Sequence, residues 1–384
     1  MRIGIDARFH GPVGKGLGRY TQKLIENLEK IALQSEADSG GKFKHEYFIF
    51  LRKNNFDDYK PRNKNFKKVL ADYHWYTLAE QLLFPRLLKK YHLDLVHLPH
   101  FNVPLLYRKK FVVTIHDLIL LHFPTRRSSR LNPLLYKIKF LAYKMVIKNA
   151  IIKAEKIITV SNFTKNDILH NYPKVSGEKI KVTYEACEDF CMLSPNKDDE
   201  ILKRYGIIKR YLLYVGNAYP HKNLERLVVA FNNLNQKIPN LQLVLVGAHD
   251  YFYQRLKTFI EEKAIKNINL TGYIPDYDLD VIFHNAIVYV WPSLYEGFGL
   301  PPLEAMAKGT AVISSEHPCM REILGDAVIY FNGLEKQSME QTMERMLKEK
   351  GLRENLIKKG YEQIKKYSWK KMAQETQVIY EGIK

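Results

Sequence analysis

The stretch A-I-V-Y-V-W-P-S-L-Y-E-G-F-G-L-P-P-L-E-A-M-A-K-G-T-A-V-I-S, residues 286–314, alternates between two kinds of structure. Its first run is apolar and rich in β-branched residues, as a strand buried on both faces requires. Pro292 and Ser293 end that run. Pro301 suits the first position of a helix, where a missing N–H does no harm, and Pro302 is tolerated within the first turn. The helix continues through Glu304, Ala305 and Met306 and stops at Gly309, a residue suited to a left-handed C-terminal cap. A second short apolar run, 311–314, follows. Strand, loop, helix and strand are the parts of a parallel α/β sheet.

The same alternation runs along the chain. Strands are expected at 3–6, 47–51, 94–98, 111–115 and 156–160, then at 211–215, 241–246, 268–271, 286–290 and 311–314. Alternation run twice predicts two doubly wound α/β domains. The stretch C-M-L-S-P-N-K-D-D-E, near 190–200, has the weakest periodicity and is the expected linker. The domains are therefore placed at 1–193 and 194–368. In such sheets ligands bind beyond the carboxyl ends of strands, so informative residues should follow strands. Two facing domains of this type would hold a ligand in the cleft between them.

Four places fit that rule. Glu296 lies in the loop of the opening stretch and Glu304 in the helix after it, with Gly297 and Gly299 leaving backbone amides uncovered between them. Amides at a helix N-terminus hold phosphate or a partly negative sugar oxygen, and carboxylates accept from hydroxyls. A plainer reading, that each acid complements the helix dipole for about 0.3–1 kcal/mol, covers Glu304 but not the glycines or Glu296. The first strand leads into G-P-V-G-K-G-L-G-R-Y-T, 11–21, either a flexible turn or a loop bringing backbone to a ligand. It fits neither the P-loop nor G-x-G-x-x-G. The fifth strand ends in His116, a side chain able to donate to a sugar hydroxyl or to serve structure alone. The strand Y-L-L-Y-V ends in G-N-A-Y-P-H-K-N-L-E-R-L, 216–227. There Asn223 or a neighbour can cap the next helix, and Lys222 is either a diphosphate ligand or an exposed surface lysine. His97 and His100 lack further ligands and read as structural. The D-x-D pattern within D-Y-D-L-D, 276–280, opens a helix, so its acids read as caps and no metal site is expected.

In this order the motifs resemble those of the retaining, nucleotide-sugar-dependent glycosyltransferases of family 4. E-G-F-G-L-P-P-L-E-A-M-A-K-G-T-A-V-I-S-S is similar to that family's E-x7-E signature. G-L-G-R-Y-T, T-I-H-D-L, I-I-T-V-S-N-F-T-K-N-D-I and Y-V-G-N-A-Y-P-H-K-N-L match further parts, nearly end to end. The resemblance implies a GT-B fold: an N-terminal acceptor domain, a C-terminal nucleotide-sugar domain, and a last helix, 369–384, crossing back onto the first. It implies that Glu304 holds the donor ribose. Glu296, Gly297 and the amides of Phe298, Gly299 and Leu300 would hold the sugar and distal phosphate. Lys222 would neutralise the diphosphate, with Gly216 and Asn217 beside it. Gly16 would bring backbone to the phosphate, and His116 would contact the transferring sugar. Many members carry Arg where Asn217 stands, so Lys222, helped by Arg226 or another cation, would carry more of the charge. A metal-free site must supply fixed cations and aimed dipoles to the leaving diphosphate, so no cofactor is expected. No protein nucleophile is assigned. Mannose from GDP-mannose is the expected transfer, to a glycan or polyprenyl-linked acceptor, as in O-antigen, capsule or exopolysaccharide assembly. A sugar-nucleotide epimerase would need a further acid/base set and a phosphorylase a cofactor lysine; neither pattern is visible.

Charge and composition bear on partners. Lys and Arg number 60 against 41 Asp and Glu, a net +19. Window 101–150 is the most lopsided, with ten basic residues and one acid. Such a field draws anions: nucleic acid, lipid head groups or phosphorylated substrates. The interleaved aromatic and basic pattern of a nucleic-acid binder is missing, so nucleic acid is not an expected partner. In 131–149, Leu134, Ile138, Leu141 and Met145 recur at helical spacing, with Lys137, Lys144 and Lys148 on another face. That helix either faces the core with a solvated basic back, the favoured reading, or rests on an anionic membrane. Three cysteines (Cys187, Cys191, Cys319), no run of 18 apolar residues and a first segment that reads as a strand point to a cytoplasmic protein, with the inner membrane face as its peripheral site.

Overall fold

The computed structural model describes residues 1–11, 15–38, 44–124, 133–187 and 198–383. The chain forms two compact units. One is built from Met1–Leu121, Leu131–Glu185 and Ser368–Lys384, the other from His122–Arg130 and Ala186–Tyr367. Most of the expected linker, 188–197, lies outside the described residues.

The first unit carries seven strands: β1 (Arg2–Asp6), β2 (Glu46–Leu51), β3 (Phe66–Leu70), β4 (Leu95–Leu98), β5 (Phe111–Ile115), β6 (Lys156–Thr159) and β7 (Ile180–Val182). They pair in parallel in the order β3-β2-β1-β4-β5-β6-β7. The second unit carries β8 (Tyr211–Val215), β9 (Gln242–Val246), β10 (Ile268–Gly272), β11 (Val288–Trp291), β12 (Val312–Ser315) and β13 (Val328–Phe331). Their order is β10-β9-β8-β11-β12-β13, again all parallel. Central strands such as β5 and β11 are buried at every position, which explains their unbroken apolar runs. Strand order reverses between β1 and β4 in one sheet and between β8 and β11 in the other. A doubly wound sheet opens a crevice at the carboxyl ends of the strands at that reversal.

Three strands were not expected: β3, β7 and β13. Each is an edge strand of its sheet. An edge strand has one neighbour and needs less apolar surface, so F-K-K-V-L and I-K-V carry lysines where a central strand would not.

The helix Pro133–Lys153 overturns the favoured reading of its apolar stripe. Leu134, Ile138, Leu141, Met145 and Ile152 are each more than half exposed. The face that enters the core instead carries Ile147, Ala150 and Ile151, with Tyr143 packed against them. This helix is apolar on two sides. No described helix is long and apolar enough to cross a membrane. The helix Trp369–Glu381 packs on the helix Lys15–Asp38 of the first unit. Its Tyr380 hydroxyl lies 2.5 Å from Nδ1 of buried His97, whose Nε2 reaches Thr114 Oγ1 at 2.8 Å. Burial and the nearby His116 push His97 down to about 3, so it is a neutral core histidine.

Candidate functional site

In the second unit the reversal point gathers most of the expected residues. Three buried tyrosines hold the chain leaving β8. Tyr289 donates to the carbonyl of Val215 at 3.1 Å, Tyr253 to that of Gly216 at 2.8 Å, and Tyr214 to that of Asn217 at 2.7 Å. Burial raises all three phenols above their ordinary range, so each stays a protonated donor. Gly216 has φ +152°, and a Cβ there would meet the Tyr214 hydroxyl at 2.8 Å, so glycine is required. Asn217 turns its side-chain oxygen to the amide of Tyr219 at 3.3 Å.

This fixed segment delivers Lys222. Its ammonium donates to Glu296 Oε1 at 2.6 Å and lies 4.6 Å from the centre of the Trp291 ring. Both charged side chains are about nine-tenths buried. Two elements distant in sequence, the segment after β8 and the loop after β11, thus meet in one ion pair. Removing one partner of a buried pair costs about 3–5 kcal/mol, because it strands the other charge. His221 is pushed down to about 3 by burial and by the Lys222 charge, so it adds no charge beside the pair. Lys222 is not an exposed surface lysine. An ammonium carries three N–H donors, and Glu296 engages one.

One expectation nearby is corrected. Asn223 does stand at the N-cap of the helix Leu224–Lys237, in the left-handed region at φ 63°, yet its side chain makes no cap bond. It donates instead to the carbonyls of Pro292 at 3.1 Å and Gly333 at 2.7 Å, tying three loops together. Arg226 Nη1 donates to Asn223 Oδ1 at 2.5 Å and to the Gly333 carbonyl at 3.2 Å, so it braces the same loop.

The helix Leu300–Ala307 begins one residue earlier than expected, with Gly299 as its N-cap at φ 92° and Pro301 at the second position. A Cβ on Gly299 would meet Met320 Cε at 2.7 Å. Prolines at the second and third positions remove two of the donors a helix start normally offers. What remains in the first turn is Leu300, preceded by the loop amides of Gly297 and Phe298. Phe298 is buried against Tyr367, ring centres 5.5 Å apart. Glu304 is half-buried and lies close enough to the Tyr289 hydroxyl to help raise its pKa, after burial itself. In the D-x-D stretch the N-cap is Pro275, and Asp276 and Asp278 occupy the first turn. Asp278 takes hydrogen bonds from Arg204 at 3.0 Å and Tyr205 at 2.7 Å, and Asp280 pairs with Lys308 at 2.8 Å. These acids pair with cations rather than cap.

His116 and Gly16 belong to the first unit. His116 Nδ1 faces Glu185 Oε1 at 3.0 Å and Nε2 faces the Pro99 carbonyl at 3.0 Å. Both ring nitrogens meet acceptors, which suits a ring protonated at both. Burial, the largest single influence, opposes that charge, but the Glu185 carboxylate, the Pro99 carbonyl and the Asp117 charge together outweigh it and raise the His116 pKa. Direct donation to a sugar hydroxyl therefore requires giving up one of these bonds. Gly16 opens the helix Lys15–Asp38 and a Cβ on it meets nothing within 4 Å. Gly18 is the constrained glycine: a Cβ there would run into the carbonyl oxygens of Phe9 and Gly11.

The chain matches the family described as Glycosyl transferases group 1 over residues 198–363 and Glycosyltransferase Family 4 over 41–187. It is 29% identical to O-antigen chain mannosyltransferase B of Escherichia coli, over 94% of each protein. It is 26% identical to O-antigen chain mannosyltransferase RfbU of Salmonella typhimurium, over 88% of each. Among solved structures, sucrose-phosphate synthase from Thermosynechococcus elongatus superposes with a TM-score of 0.75 at 20% identity, over 99% of this chain and 98% of that one. The chain belongs to the group 1, family 4 glycosyltransferases.

The glycosyltransferase has the GT-B fold, two parallel α/β units of matching strand order. Sequence reasoning missed several of its tightest polar contacts. Arg8, just past β1, is fully buried, with Nη2 at 2.7 Å from both Asp6 Oδ2 and Glu80 Oε1. Asn102 donates to both Glu80 oxygens at 2.8 Å. The signal available was T-L-A-E, 77–80, a capping-box pattern: Thr77 accepts from the Glu80 amide at 3.2 Å. Its Arg8 partner lay too far along the chain to be seen. The tyrosine braces at β8 were hidden because tyrosines in strands, like Tyr214 and Tyr289, or in a helix, like Tyr253, read as packing.

Proposed function

We propose that this glycosyltransferase moves mannose from GDP-mannose to a mannose-containing glycan, with retention at the anomeric carbon and without a metal, in assembly of an O-antigen-type polysaccharide. The observation that carries the donor half is the Lys222–Glu296 pair at the reversal between β8 and β11. Cleaving a glycosyl–phosphate bond builds negative charge on the departing diphosphate. Lys222, held in place by Glu296 and Trp291, supplies positive charge that needs no rearrangement at that moment. Glu304 is assigned to the ribose, Glu296 and the amides around Phe298, Gly299 and Leu300 to the sugar and distal phosphate. Gly16 for the phosphate and His116 for the transferring sugar rest on the family resemblance. The choice of mannose rests on the names of the relatives.

The exposed stripe of the helix Pro133–Lys153 supports a lipid-linked acceptor. Its leucines, Ile138 and Met145 lie among Lys137, Lys139, Lys144 and Lys148, the composition of a helix lying on an anionic bilayer. We place the enzyme at the cytoplasmic face of such a membrane, with a polyprenyl-linked glycan as acceptor.

Thermal unfolding in EDTA with GDP-mannose, GDP, UDP-glucose and dTDP-glucose tests the donor assignment. A ligand at a hundred times its Kd adds about 2.7 kcal/mol, so the correct base should stand out. Stabilisation by a uridine or thymidine sugar and not by GDP-mannose would overturn the donor. Labelled GDP-mannose that transfers its sugar only when divalent metal is restored would overturn the metal-free reading.

A further inference from the structure

The reversal point of the first sheet, between β1 and β4, holds an aromatic group to which nothing above gives a role. Phe9 follows β1, Trp75 and Tyr76 follow β3, and His100 and Phe101 follow β4. Phe9 stacks on Trp75 with ring centres 4.4 Å apart and lies 5.1 Å from the His100 ring. Tyr76 sits 6.2 Å from His100 and 6.3 Å from Phe101. Tyr76 is unusual twice over. The residue is 59% exposed, and its backbone is left-handed at φ 64°, a conformation rare and strained for a bulky side chain. The strain is held in place from below. The Tyr76 amide donates to Glu80 Oε2 at 2.7 Å, and Glu80 is fully buried among Arg8 and Asn102. A buried charge cluster thus fixes one elbow and turns an aromatic ring toward solvent.

The Arg52 guanidinium lies 5.0 Å from the centre of the Trp75 ring, whereas the histidine beside Tyr76 carries no charge. Burial, followed by the charges of His116 and Arg8, pushes His100 down to about 3, so it offers a neutral aromatic face. Its Nδ1 is buried without a partner among the described residues. Pro99, which binds His116 through its carbonyl, is the residue before His100. The platform therefore borders the expected catalytic histidine along the same sheet edge.

We propose that the Trp75–Tyr76 elbow, backed by Phe9, His100 and Phe101, is a subsite on which a pyranose ring of the acceptor glycan stacks. A pyranose presents one face of C–H groups, weakly positive and apolar, to the negative face of an aromatic ring. A rigid two-ring surface loses little conformational freedom on binding such a face. This assignment rests on the glycan-acceptor reading above and names the residues that select the acceptor.

The test titrates the full-length protein with α-linked mannotriose by ligand-observed NMR, alongside GDP-mannose binding and the thermal midpoint. Tyr76→Asn removes the ring and keeps a residue that tolerates the left-handed backbone. Tyr76→Phe keeps the ring. Tyr76→Asn should weaken mannotriose roughly tenfold, equivalent to about 1.4 kcal/mol, with GDP-mannose affinity and midpoint unchanged. Tyr76→Phe should bind as the wild type does. Equal binding by wild type and Tyr76→Asn, or no binding of mannotriose by the wild type, overturns the platform. A wild type that binds mannotriose through Tyr76 but not GDP-mannose supports the platform and overturns the donor assignment instead.

Discussion

At the scale of single residues, His116 stands directly after β5, as the strand pattern expected, with partners the sequence did not name. Its position after β5 was legible because strand ends mark ligand sites in this architecture. Its partner Glu185 was not, since 69 residues separate them. Burial lowers the His116 pKa, but the Glu185 carboxylate, with smaller help from the Pro99 carbonyl and Asp117, holds it above the ordinary 6.5. A group with a raised pKa in the folded state adds stability that is complete below the unfolded value and fades as pH rises through the folded one. Glu185→Gln should therefore lower the imidazole titration, followed by NMR, and abolish the extra stability on the acid side of neutrality. An unmoved titration would mean that some other group keeps the proton on this ring. Lys222 and Glu296 were each legible from their loops. Their mutual bond was not, because spacing in sequence does not reveal which loops a reversal of strand order brings together.

Among elements, the start of the helix Lys15–Asp38 separates two glycines that look equivalent in G-K-G-L-G. Gly16 has open space where a Cβ would go, and Gly18 has two backbone carbonyls. Gly16→Ala should leave stability unchanged or raise it by up to about 1 kcal/mol, the ordinary gain of alanine over glycine in a helix. Gly18→Ala should cost about 1–3 kcal/mol, as forced overpacking does, because backbone cannot swing aside like a flexible side chain. Urea unfolding of both variants decides this, and similar values would show that the helix start can shift. The strand pattern was legible wherever a strand has neighbours on both sides. It failed at β3 and β7, edge strands where one side is open and lysines break the apolar run, and also at the edge strand β13, whose four apolar residues are too short a run to separate from a helix segment. For the helix Pro133–Lys153, periodicity found a stripe but not its direction, because Tyr143, Ile147, Ala150 and Ile151 supply a second apolar face turned inward.

For the whole molecule, the charge of +19 and the solvent-facing apolar helix make one joint prediction. The protein should sediment with vesicles containing anionic lipid and not with neutral ones. The bound fraction should fall as salt rises, since the screening length shrinks from about 30 Å at 0.01 M to about 8 Å at 0.15 M. Ile138→Glu with Leu141→Glu should release it at constant salt without lowering the thermal midpoint. Binding that survives both changes would locate the lipid contact elsewhere. The chain path has a consequence during synthesis. Residues 368–383 complete the first unit, supplying the hydroxyl that satisfies His97 and the acid that meets Lys44 and His45. A ribosome must therefore deliver nearly all of the second unit before the first can close. The half translated earliest is the half finished last, and until then its unfinished seam is what a chaperone would meet.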